Sequence, residues 1–181
     1  MDYSDTEPPD KPVLTIVTNS SGGAAAFDAH KRYRYGLTRY WATSCDDSNQ
    51  VTFIMLNPSQ ADAERDDPTI RACSQFAQGW GYDQLNVVNL FAYRSPHPSA
   101  LKQTPDPVGP ANDRCLVAAV ESADRVILAW GNWGSLLNRD QAVMNLLQPH
   151  RHKLYCLMCN RSGQPRHPLY IKRTTQPKTW P

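Results

Sequence analysis

The residues able to do chemistry fall in four places. Met55-Leu-Asn57-Pro-Ser59 sets an amide directly after an apolar run. The following proline holds Asn57 extended, and an amide held that way can polarise a carbonyl or position a water. As ordinary structure, the same Asn caps its own backbone in a turn. Next comes an acidic segment with Asp62, Glu64, Asp66 and Asp67. Asp67 precedes Pro68 and reads as a helix N-cap. Asp62 and Asp66 can orient a water or hold a metal, while Glu64 reads as a solvated loop residue. A third group, Asn89, Phe91, Tyr93 and Arg94, joins an amide, two aromatics and a guanidinium. That set suits a planar ring, with a phosphate on Arg94, although Phe91 equally fits a core. The fourth is Gly163-Gln-Pro-Arg166-His167-Pro-Leu169-Tyr170, where prolines flank Arg166-His167 and stiffen it. A lone His is more often structural than catalytic, but a rigid, Arg-bearing loop favours a function. Lys172, Arg173 and Lys178 follow with no acid among them, which reads as a phosphate-backbone footprint or, more plainly, as a solvated tail.

Several familiar signatures are missing. There is no GxGxxG, P-loop, GxSxG or HExxH. Amides, carboxylates and one well-placed histidine suit water attacking a carbon that carries a good leaving group. They do not suit hydride transfer.

These residues need elements to position them. Val51–Leu56, Leu85–Leu90, Arg125–Trp130 and Lys153–Met158 are near-continuous apolar runs and read as strands buried on both faces. Between them, Pro68–Gly79, Ala111–Ala123 and Ser135–Leu147 read as helices. The repeated strand–helix order predicts a three-layer α/β/α fold with a mostly parallel four-stranded central sheet. In such sheets ligands bind beyond the carboxyl ends of the strands, and the strand ends here, Asn57-Pro-Ser59, Asn89–Arg94, Gly131-Asn-Trp-Gly134 and the Gly163–Tyr170 loop, read as one rim. Upstream, Val13–Thr18 reads as an edge strand, Ser20–Gly23 as a turn and Tyr33–Thr43 as a strand. Its alternation sets Tyr33, Tyr35, Leu37, Arg39 and Trp41 on one face and Arg34, Thr38 and Tyr40 on the other. Cys45–Gln50 reads as a turn. Phe91–Pro110, with five prolines, is a long loop of the kind that usually carries function.

Composition bounds the rest. The 181 residues, 40% hydrophobic and 20% charged, make one domain (13–181) with a disordered arm over 1–12. A formal net charge of +2 excludes a polycation and leaves room for a local basic patch. No apolar run is long enough to span a membrane, and the acidic N-terminus is not a secretory leader. Five cysteines, an odd count, fit a reducing cytoplasm. Cys156 and Cys159 have a metal-like spacing, but the apolar run around them reads as a buried strand with structural thiols.

The segments MLNPSQAD, DDPTIRAC, VVNLFAYRSP, DPVGPANDR, AWGNWG and GQPRHPLY together resemble a bacterial and phage family known only as a domain of unknown function, over Tyr33 to Trp180. The motif order is also similar to the uracil-DNA glycosylase superfamily: a strand-end Asn-Pro, a later strand-end Asn with an Arg following, and a late His-Pro. That resemblance implies that Asn57 activates the attacking water, that His167 stabilises the departing base, that Leu169 or Tyr170 wedges into the duplex, and that Arg166 contacts phosphate. Relatives of this type include antiviral glycosylases that excise glucosylated hydroxymethylcytosine from phage DNA. The chain departs from the mismatch-specific branch. Met55-Leu56 stands where the first motif has Gly, Ser59 replaces its final Gly, the late motif is His-Pro-Leu, and the acidic loop is additional. These departures turn the expectation from uracil toward a bulkier, modified base.

The sequence-level expectation is therefore a monomeric, monofunctional DNA glycosylase with the fold of that superfamily. Its catalytic set is Asn57, Asp62, Asp67 and His167. Its base pocket is Ser59, Asn89, Phe91, Tyr93 and Arg94. Arg166, Leu169, Tyr170, Lys172 and Arg173 bind DNA. No metal or cofactor is expected, and neither a membrane nor an obligate protein partner. Two other readings stay open: a non-catalytic nucleic-acid-binding module, and a hydrolase acting on free nucleosides or nucleotides.

Overall fold

A computed structural model describes residues 13–41 and 49–181. The expected arm over 1–12, Cys45 and most of the turn beginning there lie outside the described residues. The described strands form one eight-stranded mixed sheet in the order β1-β2-β3-β5-β4-β6-β7-β8. They are β1 Thr15–Thr18, β2 Gly23–Phe27, β3 Arg34–Tyr40, β4 Gln50–Met55, β5 Gln84–Asn89, β6 Arg125–Leu128, β7 Leu154–Cys156 and β8 Lys178–Thr179. The protein is thus α/β, and its sheet is only partly parallel. The four central strands β5-β4-β6-β7 are parallel, as the apolar runs predict. An antiparallel β1-β2-β3 extension and the short β8 flank them. The sequence reading misses β2 because Gly-Ala-Ala-Ala carries little strand propensity. Pairing on both sides holds it in place instead.

Three helices cover the sheet: α1 Pro68–Gly79, α2 Asn112–Glu121 and α3 Arg139–Leu146. Alternate residues of β4 face opposite ways. Val51, Phe53 and Met55 pack with Ile70, Cys73, Phe76 and Ala77 of α1. Ile54 packs on the other face with Leu116 and Val120 of α2 and Val143 of α3. The helix expected over Ser135–Leu147 is shorter than the pattern suggests. Leu137 and Asn138 both take left-handed backbone (φ 56° and 55°), which breaks the run into a 3-10 segment, Asn132–Asn138, followed by α3. The long loop after β5 is anchored rather than loose. Its Ala92, Tyr93, Arg94 and Ser95 N–H groups donate to the carbonyls of Val108, Pro107, Arg32 and Pro58.

One irregularity decides a side-chain direction. Ala26 pairs with Gly36 but Phe27 pairs with Arg34, so Tyr35 is an extra residue in β3. Such a bulge reverses the alternation beyond it. Arg34 therefore shares a side with Arg39 rather than with Thr38 and Tyr40. Arg34 Nη1 donates to Ala61 O (2.7 Å) and Arg39 Nη2 to Asp62 O (2.6 Å), both in the acidic loop.

The topology creates a crevice at the carboxyl edge. The chain leaves β4 toward α1 on one face, while its neighbours β5 and β6 lead to α2 and α3 on the other. Strand ends whose connections diverge to opposite faces leave room between them, and β4 sits between two such neighbours. No helix among the described residues is long and apolar enough to cross a membrane.

Candidate active site

A cavity of about 620 Å³ opens at that crevice, within the range of small-molecule sites. Asn57, Ser59, Asp67, Asn89, His167, Leu169 and Tyr170 all line it. Residues separated along the sequence thus meet because each lies at or just beyond the carboxyl end of a parallel strand or at the head of α1.

Each is held by local structure. Asn57 Nδ2 donates to Pro58 O (3.0 Å) and Ser95 O (2.9 Å). Both amide protons are thereby used, and Oδ1 is left as the acceptor. Asp67 caps α1: the Ile70 N–H donates to its Oδ1 (2.9 Å), with Pro68 opening the helix. The other carboxylate oxygen is not used in the cap. His167 Nδ1 accepts from the Leu169 N–H (3.3 Å), so a neutral ring carries its proton on Nε2 and donates from there. Burial lowers the His167 pKa, opposed by the charge of Asp67. The ring is neutral near pH 7.

Two buried donors in the lining have no partner. Asn89 is 2% exposed, and its Nδ2 makes no hydrogen bond among the described residues. Arg34 is equally buried, and its Nε is likewise unpaired. Burial pulls the guanidinium down to about 10, and Asp67 is the largest influence holding it up. It stays a cation at neutral pH. An unmade buried hydrogen bond costs about 1–3 kcal/mol, and both residues line the cavity. Support for Asn89 comes from behind. Asn112 Nδ2 donates to Asn89 O (3.0 Å) and Leu90 O (2.9 Å), and Arg139, paired with Asp113, donates from Nε to Leu90 O (2.8 Å).

The far wall is aromatic. Trp130 is fixed by its Nε1–H to Gln164 Oε1 (2.6 Å), and Gln164 Nε2 donates in turn to Asp140 Oδ2 (2.6 Å). A Cβ at position 134 would lie 2.0 Å from Trp130 Cδ1, so only Gly134 lets the indole sit there. Trp133 lines the mouth, 38% exposed, with the Lys102 ammonium 4.9 Å from its ring centroid. The loops after β6 and β7 are joined by the Gly131 N–H to Pro165 O (2.8 Å), and Asn132 Oδ1 accepts from Asn160 and Ser162.

Other expected residues lie elsewhere. Asp62 does not reach the cavity. Its Oδ1 accepts from the N–H groups of Glu64 (2.9 Å) and Arg65 (2.8 Å) in a turn. Burial alone would raise its carboxyl, but those N–H groups, with Arg65 and Arg94 nearby, hold it below the usual range. Asp66 is paired with Arg39 (2.6 Å). Phe91 is not a pocket wall: it is fully buried in the α2–α3 side of the core with Leu101 and Leu116. Tyr93 and Arg94 line a neighbouring recess that shares Ser59 with the cavity. Of the expected DNA contacts, Leu169 and Tyr170 stand exposed at the mouth (37% and 70%). Lys172 is exposed, and Arg166 lies against Met158. Arg173 is committed to structure, with Nε to Gln75 (3.0 Å), Nη1 to the Pro168 and Ile171 carbonyls, and its guanidinium 5.0 Å from the Phe76 ring centroid.

Sequence reasoning passed over Arg34, Trp130 and Trp133. Gly131-Asn-Trp-Gly134 was legible as a rim loop, and Trp133 within it and Trp130 just before it were the available signal. For Arg34 the only hint was a charge at the head of a strand rich in aromatic residues. Cys156 and Cys159 bring their sulfurs to 3.9 Å. Among the described residues no group of three His, Cys, Asp or Glu converges as a metal site would require.

The fold is that of an α/β protein with a cavity at the carboxyl edge of its sheet, lined among others by Asn57, Asn89, Arg34 and His167. The family model for DUF1643, described as a protein of unknown function, matches residues 34–169, and the chain belongs to that family. Among curated proteins and among solved structures, nothing matches.

Proposed function

We propose that the protein is a monofunctional DNA glycosylase that hydrolyses the N-glycosidic bond of a modified base and leaves an abasic site. One observation carries the reading. A single cavity is lined by a fixed amide, a carboxylate, a neutral histidine and two buried donors without partners, those of Asn89 and Arg34. The motifs that resemble the uracil-DNA glycosylase superfamily supply Asn57 and His167 to it.

The chemistry follows from those groups. A base cannot be attacked inside the stack, so it is flipped into the cavity. Its carbonyl or ring acceptors meet Asn89 Nδ2 and Arg34 Nε. Asn57 Oδ1 accepts one proton of a water and aims it at the sugar carbon. As the carbon–nitrogen bond breaks, its electron pair leaves with the base. His167 Nε2–H and the Arg34 cation stabilise that charge. The sugar becomes oxocarbenium-like, a cation that the Asp67 carboxylate stabilises. The water oxygen bonds to the sugar carbon, and Asp67 takes its proton. No lysine lines the cavity, which supports hydrolysis over a Schiff-base route.

The test is direct. The protein is incubated with DNA carrying uracil, hydroxymethylcytosine or glucosylated hydroxymethylcytosine, and abasic sites are revealed by alkaline cleavage. Cleavage with a modified base is expected. Binding without abasic sites in any DNA sinks the proposal and favours a binding module, and cleavage of free nucleosides alone favours a nucleoside hydrolase.

A further inference from the structure

Beside the cavity lies a second recess of about 460 Å³, lined by Lys31, Arg32 and Arg94 with Ser59, Gln60 and Tyr93, and by no acidic residue among the described residues. We infer that these three cations seat the phosphodiester backbone of a polynucleotide strand next to the cavity, an inference that rests on the nucleic-acid reading above.

The recess is built rather than incidental. The Arg94 N–H donates to Arg32 O (2.9 Å), and Arg94 Nη1 donates to Lys31 O (3.1 Å). These two bonds pin the turn before β3 to the chain beyond β5. Lys31 is held in left-handed backbone (φ 54°), which costs a non-glycine residue free energy. Lys31 Nζ and the Arg94 guanidinium both lie over the Phe27 ring, at 5.8 and 5.0 Å from its centroid. Arg94 Nε is buried without a partner. The Phe27 ring offsets part of the repulsion between these two cations. Asp62 and Glu64 line, with Phe27, Lys31 and Arg94, a smaller recess, so these two cations are shared between the carboxylates and the recess beside the cavity. Asp28 is turned to the Tyr33 N–H (2.7 Å).

Position gives the recess its meaning. Cavity and recess share Ser59, Gln60, Ser95 and Pro96 as a common wall. Strand order places the recess at the β3–β5 flank, while Trp133 and the His167 loop lie at the β6–β7 flank. A strand whose base enters the cavity can lay its backbone across the shared wall onto the cations. The C-terminal cations lie on the opposite flank, where Arg173 is already occupied.

The full-length chain is titrated with single-stranded oligonucleotides of unmodified bases, without terminal phosphates, over a range of salt. Lys31→Gly removes a charge and relieves the left-handed strain, and Arg32→Gln removes another. The double variant is expected to melt no lower than the parent. Its log–log salt slope should be shallower by about 0.7 per charge removed on single strands, equally for oligonucleotides of different sequence. An unchanged slope in the folded double variant overturns the inference. So does a slope change found only in Arg166→Gln/Lys172→Gln, or only when the oligonucleotide carries a terminal phosphate, or a parent protein that binds no oligonucleotide at low salt. Because no excision is read, a failed search for abasic sites leaves this result standing, and failure here leaves the excision assay to be judged by itself.

Discussion

Asp62 and Asp67 stand at the two ends of one acidic loop, and each spends a carboxylate oxygen capping backbone N–H groups. Their surroundings differ in every other respect. Asp62 looks into a smaller recess with Glu64, Lys31 and Arg94. Asp67 stands in the cavity wall, where its charge bears on both His167 and the buried Arg34. Residue type and local hydrogen bonding do not separate the pair. What separates them is that Asp67 opens α1, the element that leaves β4 on the opposite face from its neighbours. The crevice, rather than anything in the carboxylate itself, sets Asp67 beside His167 and Arg34.

The largest expected effect tests this contrast. Asp67→Asn still caps the helix but loses the charge, so turnover on a modified-base DNA should fall by about 10²–10⁴, in a protein that stays folded but melts lower because the buried Arg34 cation loses its largest electrostatic support. Asp62→Asn should retain turnover. Equal losses in the two variants would erase the distinction. Asn57→Ala belongs with Asp67, and parental turnover in that variant at unchanged stability would refute its assigned role.

The next effect separates pocket from core. Phe91→Ala should destabilise by about 3–5 kcal/mol in denaturant titrations, because the ring is fully buried. A stable, inactive Phe91→Ala would return that residue to the pocket. Smaller again is the cap itself: Asp67→Ala should be about 1 kcal/mol less stable than Asp67→Asn.

The smallest is a pH effect. The folded pKa of His167 lies below its ordinary value near 6.5, so the unfolded chain binds the proton more readily. Its contribution to stability is present above about 6.5 and is lost as pH falls from there through the folded value. His167→Gln should flatten that part of the stability–pH curve. A curve identical to the parent's would show that another group carries the acid sensitivity.

Much of the architecture was legible from the chain. Four apolar runs marked the parallel strands, and Asp67-Pro68 marked the start of α1 at the right residue. Asn57, Ser59, Asp67, Asn89 and His167 were singled out because they end strands or open helices, and the cavity gathers those positions. The misses have physical causes. Arg34 was assigned to the wrong face because alternation cannot register the extra residue at Tyr35. Phe91 follows Leu90 past the end of β5, where burial depends on α2 and α3 rather than on anything local. β2 is held by its neighbours rather than by its composition. Asp62 looked like Asp67 because the sequence does not say where the sheet changes direction.

The Gly131 N–H to Pro165 O bond joins the loop carrying Trp133 to the one carrying His167. In hydrogen-exchange terms, that amide can swap its proton with solvent only when the two loops part. The exchange rate of a single backbone proton therefore measures how often the aromatic wall and the histidine separate, and a ligand that bridges them will slow it.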